Sequence, residues 1–336
     1  MLKRILLTGS EGVIGRALRP MLVALGYDVV PYDLHTSTPG GGGDVRDLTR
    51  LQARGRACSG IVHLAAISRV TWGEADPDAC YSTNVTGTAR VLDAAESSDF
   101  RPWVLLASSR EVYGNPGSLP ADESTPLAPV NVYGHSKARA EELVLARRRR
   151  KPGDERRINA AILRLSNVYG SLHDHPDRVI PAFVQAALAG TPLILRGAQN
   201  RFDFTHLQDV VRGICLAILA LDKGCWFPPL NLCSGTSTSL EALAHLTLQL
   251  SGSGSTLQRE ESERYAVSAF CGSSALAGLL LDWRPQISLE TGLQRLLLET
   301  LAASESGGQA EAALSRFSPE NTSAVKALHP QKHFSP

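Results

Sequence analysis

The chain has no uninterrupted apolar run approaching the roughly eighteen residues of a membrane helix, so no span is expected. It has no C-x-x-C pair and no histidine–cysteine spacing of the kind that holds a metal. Its six cysteines, Cys58, Cys80, Cys215, Cys225, Cys233 and Cys271, therefore read as reduced, mostly packed thiols of a cytoplasmic protein. Charge of either sign is not in excess: the net value is +1, which gives no global attraction for nucleic acid or a membrane surface. Strand-like residues begin at Ile5, leaving no room for a signal peptide, and no internal repeat is visible. What remains is 336 residues, 43% hydrophobic, enough to bury a large core in one big or two intimate domains.

The stretch Leu2–Gly15 organises that core. Ile5, Leu6 and Leu7 read as a buried strand cut off by Thr8 and Gly9, and a helical pattern follows through Ala17, Leu18, Met21, Leu22 and Leu25. Between them stand Gly9, Gly12 and Gly15, with Val13 and Ile14 inside the loop. This spacing suits a tight turn, an approach of backbone N–H groups to a pyrophosphate, and close packing of helix on sheet. A second strand, Asp28–Tyr32, is followed by Asp33, whose carboxylate can accept hydrogen bonds from ribose hydroxyls. With Leu34 next and no arginine beside it, NAD is favoured over NADP.

Further along, a third strand is expected to be compressed around Asp44 and Val45. Asp44 can bond an adenine amino group with Val45 against the ring, cap the helix ahead of Leu48 and Leu51, or do both. Ile61–Ala65 is the next strand, with His63 a packed core residue and the small Ala65 near the cofactor. Pro77–Ser97 reads as one helix, from which Asn84 can reach the strand ends near the nicotinamide ribose. Trp103–Ala107 is a strand that runs into Ser108, Ser109, Arg110 and Glu111. A parallel sheet carries its ligands at the carboxyl ends of its strands, so these side chains should face the cofactor.

Tyr133 and Lys137 are four residues apart and share a helix face. An ammonium nearby favours the phenolate and makes tyrosine a usable base, while Ser109 can bond the same substrate oxygen. These three are the expected catalytic residues. The basic run Arg147–Lys151 reads as charge at a helix C-terminus. Residues 171–201 read as loop-rich, and Arg178 and Arg201 suit diphosphate oxygens as well as they suit open surface. Residues 304–336 are small and polar, as expected of a disordered tail.

The chain resembles the extended short-chain dehydrogenase/reductases, in particular the NAD-dependent nucleotide-sugar epimerase/dehydratase family. The resemblance rests on Thr8-Gly9-x-x-Gly12-x-x-Gly15, Asp33, Asp44-Val45, His63-Leu64-Ala65-Ala66, Asn84-Val85-x-Gly87-Thr88 and Ser108-Ser109. It continues through Val112-Tyr113-Gly114, Tyr133-x-x-x-Lys137, Arg164-x-x-Asn167-Val168-Tyr169-Gly170 and Asp203-Phe204-x-His206-x-x-Asp209. The resemblance implies an α/β fold with a doubly wound Rossmann-type parallel sheet over residues 1–165, to which helix 207–222 returns. A smaller C-terminal lobe, 166–206 and 223–303, would bind a nucleoside-diphosphate sugar. NAD would lie against the Gly9–Gly15 loop and Leu64, with Asn167 at the sugar diphosphate and Glu111 facing the substrate. A homodimer through the 77–97 and 133–150 helices is implied as well.

Two departures shape the expected chemistry. The family's dehydratases carry Asp-Glu where this chain has Arg110-Glu111, and an arginine cannot give up a proton. Many members have arginine just before Asp203, where this chain has Phe202. A 4-epimerase acting through a transient 4-keto sugar is the preferred reading. A nucleotide-sugar decarboxylase or dehydratase of the same family, and a non-catalytic NAD-binding scaffold, are the alternatives.

Overall fold

The computed structural model describes residues 3–36, 42–148, 158–261 and 267–305. Its first unit alternates strand and helix: β1 (Arg4–Thr8), α1 (Val13–Ala24), β2 (Asp28–Tyr32), α2 (Leu48–Gly55) and β3 (Gly60–His63). Then come α3 (Val70–Ala75), α4 (Pro77–Tyr81), α5 (Gly87–Glu96), β4 (Trp103–Ser109), α6 (Val132–Arg148) and β5 (Ala160–Leu165). Beyond these lie β6 (Asn167–Tyr169), α7 (Val179–Ala189), β7 (Leu193–Arg196), β8 (Arg201–His206), α8 (Leu207–Asp222) and β9 (Leu230–Leu232). The described chain closes with β10 (Ser237–Ser239), α9 (Leu240–Ser251), β11 (Leu257–Glu260), α10 (Ala275–Leu281) and α11 (Leu289–Glu305).

Six strands form one parallel sheet in the order β2-β1-β3-β4-β5-β9. Alternation along a strand decides which helix layer each residue meets. Ile5 and Leu7 face the layer of α1 and α8 with Leu18, Leu22, Val210 and Ile214, whereas Leu6 faces α2, α5 and α6 with Leu51, Leu92 and Val144. All of these are fully buried, and each such side chain contributes roughly 1.5–3 kcal/mol. A separate core gathers Ile180, Phe183, Leu193, Phe204, Leu243 and Leu297 from α7, β7, β8, α9 and α11. Two smaller sheets, β10-β8-β6 and β11-β7, belong to this second region.

The structure differs from the sequence reading at four places. The third strand expected around Asp44 and Val45 is reduced to a single bridge between Asp33 and Gly42. Helix α2 is capped by Asp47, whose carboxylate accepts from the Arg50 backbone at 3.0 Å, and not by Asp44, which binds Arg46 instead. The single helix expected over 77–97 is divided by a π turn, Ser82–Thr86. Finally, the loop-rich stretch 171–201 holds an eleven-residue helix, α7, with Pro181 in its first turn, where a missing N–H leaves no helical bond unmade. Residues 149–151 of the basic run and 306–336 of the expected tail lie outside the described residues.

Candidate active site

The turn from β1 into α1 forms one wall of the site. Gly9 has φ +72°, and a Cβ there would lie 2.6 Å from the backbone nitrogen of Ala65. A Cβ on Gly15 would lie 2.2 Å from the Gly9 carbonyl oxygen, so the loop and helix start can nest only as glycines. No side chain caps α1, and its first turn carries no acidic residue. Its open N–H groups and positive dipole end therefore remain available to an anion. Asp33 is held beside this loop because its carboxylate accepts from the backbone N–H groups of Glu11 and His35, both at 3.0 Å. An acceptor fixed there, a bare helix N-terminus and a cradle that any Cβ would fill together fit a dinucleotide.

The loop opens onto a cavity of about 420 Å³ at the carboxyl ends of the parallel strands. Its lining includes Gly9, Gly12, Val13, Ile14, Gly15 and Leu64, together with Ser109, Glu111, Tyr133, Lys137, Asn167 and Arg178. Ser109 ends β4 and caps the short 3₁₀ turn Arg110–Tyr113, its hydroxyl accepting from the Glu111 backbone at 3.2 Å. Opposite, the Asn131 side-chain oxygen accepts from the Gly134 backbone at 2.8 Å in the first turn of α6. The two elements are tied together where Asn131 Nδ2 donates to Glu111 Oε2 at 2.8 Å. This joint brings Tyr133 and Ser109 into the lining of the same cavity.

Burial pushes the Tyr133 hydroxyl up to about 12; the neighbouring Ser109 hydroxyl and the charge of Arg178 oppose the rise, and Glu111 adds to it. Lys137, expected to favour the phenolate with help from the nicotinamide charge, is not among the main groups that offset this rise. The Lys137 ammonium donates to the Ala107 carbonyl at 2.9 Å, and burial pulls its pKa down to about 8. Desolvation, invisible in an i, i+4 spacing, outweighs the pairing that the spacing suggests.

Several expected site residues lie elsewhere. Asn84 is buried in the π turn and bonded to both backbone groups of Ile67 (2.8 and 3.0 Å) and to Ser136 (2.9 Å), away from the cavity lining. Arg201 is exposed on β8 and donates to the Ser237 carbonyl, so it does not reach the cavity. Asp44 and Val45 are outside the lining too, Val45 packed in the core. Ala65 meets the loop through Gly9, and His63 is a core residue bonded to Thr8 and Thr88. Sequence reasoning passed over Arg69, Asp174, His175 and Asp177, which also line the cavity. Arg69 grips Asp177 with both guanidinium nitrogens at 2.6 and 2.8 Å, joining the segment after β3 to the one before α7. Their separation of 108 residues leaves no local signal for the pair.

The fold and the site define the class of protein: the chain belongs to the NAD-dependent epimerase/dehydratase family, whose model matches residues 5–227. It is 29% identical over 312 residues to a UDP-glucose 4-epimerase of Rhizobium meliloti (strain 1021), covering 85% of this chain and 93% of that one. Among solved structures it is similar to MoeE5 in complex with UDP-glucose and NAD. The TM-score is 0.82 at 27% identity, over 90% of this chain and 99% of that one. It is also similar to DesIV, a dTDP-glucose 4,6-dehydratase from Streptomyces venezuelae with NAD bound. There the TM-score is 0.80 at 28% identity, over 90% and 98% of the two chains.

Proposed function

We propose that this protein is an NAD-dependent nucleoside-diphosphate-sugar epimerase of the 4-epimerase type. The six-stranded unit would hold the cofactor, with Gly9, Gly12, Val13, Ile14 and Gly15 at the pyrophosphate, Asp33 at the adenosine ribose and Lys137 at the nicotinamide ribose. The smaller core would supply Asn167 and Arg178 to the sugar diphosphate. When bound, NAD supplies a hydride acceptor and a positive ring charge that favours the Tyr133 phenolate. Tyr133 takes the proton from the reacting sugar hydroxyl, and Ser109 orients that oxygen through a hydrogen bond. Tyr133 then returns the proton once the transient ketone has presented its other face.

The observation that carries this reading is that Tyr133, Ser109 and Lys137 line one cavity together with the glycine loop. A family dehydratase would need a free acid and base beside Tyr133. Here Glu111 is held by Arg110 at 2.7 Å and by Asn131 at 2.8 Å, and Arg110 cannot release a proton. The similar Rhizobium protein is a 4-epimerase by name, and MoeE5 carries both UDP-glucose and NAD, which agrees with this choice. Incubating the purified chain with UDP-, GDP- and dTDP-sugars and resolving products by NMR tests it. A pair of C4 epimers approaching equilibrium is expected; dehydrated or decarboxylated products alone would overturn the reading. The chain is further inferred to act in the cytoplasm as a homodimer through α4–α5 and α6, which sedimentation analysis checks.

A further inference from the structure

Arg110 follows Ser109 directly and is only 8% exposed, yet it lines the cavity beside Glu111, Tyr133, Asn167 and Arg178. Its guanidinium lies over the Phe202 ring at 4.8 Å and near Phe270 at 5.8 Å. The Nη2 side meets Glu111 Oε1 at 2.7 Å and stands 3.5 Å from Asn167 Oδ1. The Nη1 group is buried and has no hydrogen-bond partner among the described residues. A guanidinium N–H shut away from water without an acceptor is costly, and it marks a place where an acceptor belongs.

Glu111 is committed elsewhere, since its second oxygen is taken by Asn131 at 2.8 Å. The other cations of the cavity wall are already engaged. Arg69 grips Asp177 at 2.6 Å, Arg178 meets Asp174 at 3.3 Å, and Lys137 donates to Ala107 at 2.9 Å. Arg110 therefore presents a positive charge shared with one carboxylate and an open N–H, next to the hydroxyls that would hold the reacting sugar oxygen. It lines the same cavity as Ser109 and Tyr133. A hydroxyl would fill one such bond, whereas a carboxylate can take two parallel N–H bonds from the guanidinium. Resting on the epimerase reading, we propose that Arg110 is a specificity-determining residue that binds a carboxylate on the sugar, making the substrate a nucleoside-diphosphate uronic acid. Phe202 is then the platform that holds this guanidinium flat. The two positions at which the chain departs from its family's pattern are in contact and serve one purpose.

Calorimetric titration of the full chain, saturated with NAD, with UDP-glucuronic acid and with UDP-glucose tests the proposal. The acid is expected to bind about tenfold tighter or more, a difference of about 1.4 kcal/mol. Arg110→Gln should erase that preference, and Arg110→Lys, which keeps charge without the fork, should keep part of it. Should the variants fail to fold, the wild-type comparison of the two sugars decides alone. Equal binding, tighter binding of the neutral sugar, or an undiminished preference in folded Arg110→Gln would overturn the proposal. Products separate the two readings. If both sugars bind and epimerise alike, the acid selectivity falls and the epimerase stands. If the acid binds selectively but leaves as CO2 and a UDP-pentose, the selectivity stands and the epimerase falls.

Discussion

One oxygen atom separates Tyr133 from phenylalanine, and the site's chemistry depends on it. Tyr133→Phe is expected to lower kcat by about 10²–10⁴-fold with little change in thermal stability, measured by steady-state turnover and a melting curve. The pH response at this scale comes from a different residue. His63 is 1% exposed, with its ring nitrogens held by Thr8 at 2.8 Å and Thr88 at 3.1 Å. Burial, aided by the charge of Lys137, pulls its pKa down to about 3. The unfolded chain takes up a proton near pH 6.5 and the folded one does not. The histidine's contribution is therefore whole above pH 6.5 and is lost as pH falls toward 3. Denaturant melts at pH 7 and pH 5 should differ by about 2 kcal/mol from this group alone, at about 1.4 kcal/mol per pH unit. The identities of Gly9, Gly15, Ser109, Tyr133 and Lys137 were readable because each sits at the end of a strand or on a helix face that hydrophobic spacing announces. Their proton affinities were not, because desolvation depends on what the rest of the chain stacks above them.

At the scale of elements, the Gly9–Gly15 turn should tolerate almost nothing. Gly15→Ala places a methyl carbon where only 2.2 Å separates it from the Gly9 oxygen, so the loop must shift and NAD retention on gel filtration should fall. By contrast, Asp47→Ala removes one cap from α2, and about 0.5–2 kcal/mol of stability should go while NAD binding stays. Strands β1 to β4 followed from short apolar runs ended by glycine or polar residues. The compressed third strand did not: only the Asp33–Gly42 bridge stands in its place, and Asp47 rather than Asp44 caps α2. The Asp203-Phe204-x-His206-x-x-Asp209 motif also acquires a physical meaning only in three dimensions. Asp203 accepts from the backbone of Ser234 and Gly235 at 2.7 and 2.8 Å, and Asp209 from Gln286 and Ile287 at 3.0 and 2.9 Å. Both carboxylates stitch distant loops to β8 and α8, a task that no local spacing reveals.

For the whole molecule, the contact that spans the cavity wall is Arg69–Asp177. It ties the sheet that would hold the cofactor to the segment leading into α7, where Arg178 stands. Asp177→Ala should free that segment and raise KM for the nucleotide sugar several-fold while kcat changes little, a split that steady-state kinetics resolves. Long-range pairs of this kind, like the contact of Arg110 with Phe202, lay beyond a sequence reading because their partners are brought together only when the second core folds.

The π turn at Ser82–Thr86 carries a consequence for how the helix was wound. A π turn accommodates one residue more than regular α-helical winding over the same length. Removing Val85 would let the segment wind as ordinary α-helix, but it would rotate Asn84 away from the Ile67 backbone that it clasps on both sides. The strip from Leu64 to Val70, part of the cavity's rim, would then lose its anchor. A one-residue deletion in a helix that never touches the cavity could thus silence the enzyme while leaving its fold intact.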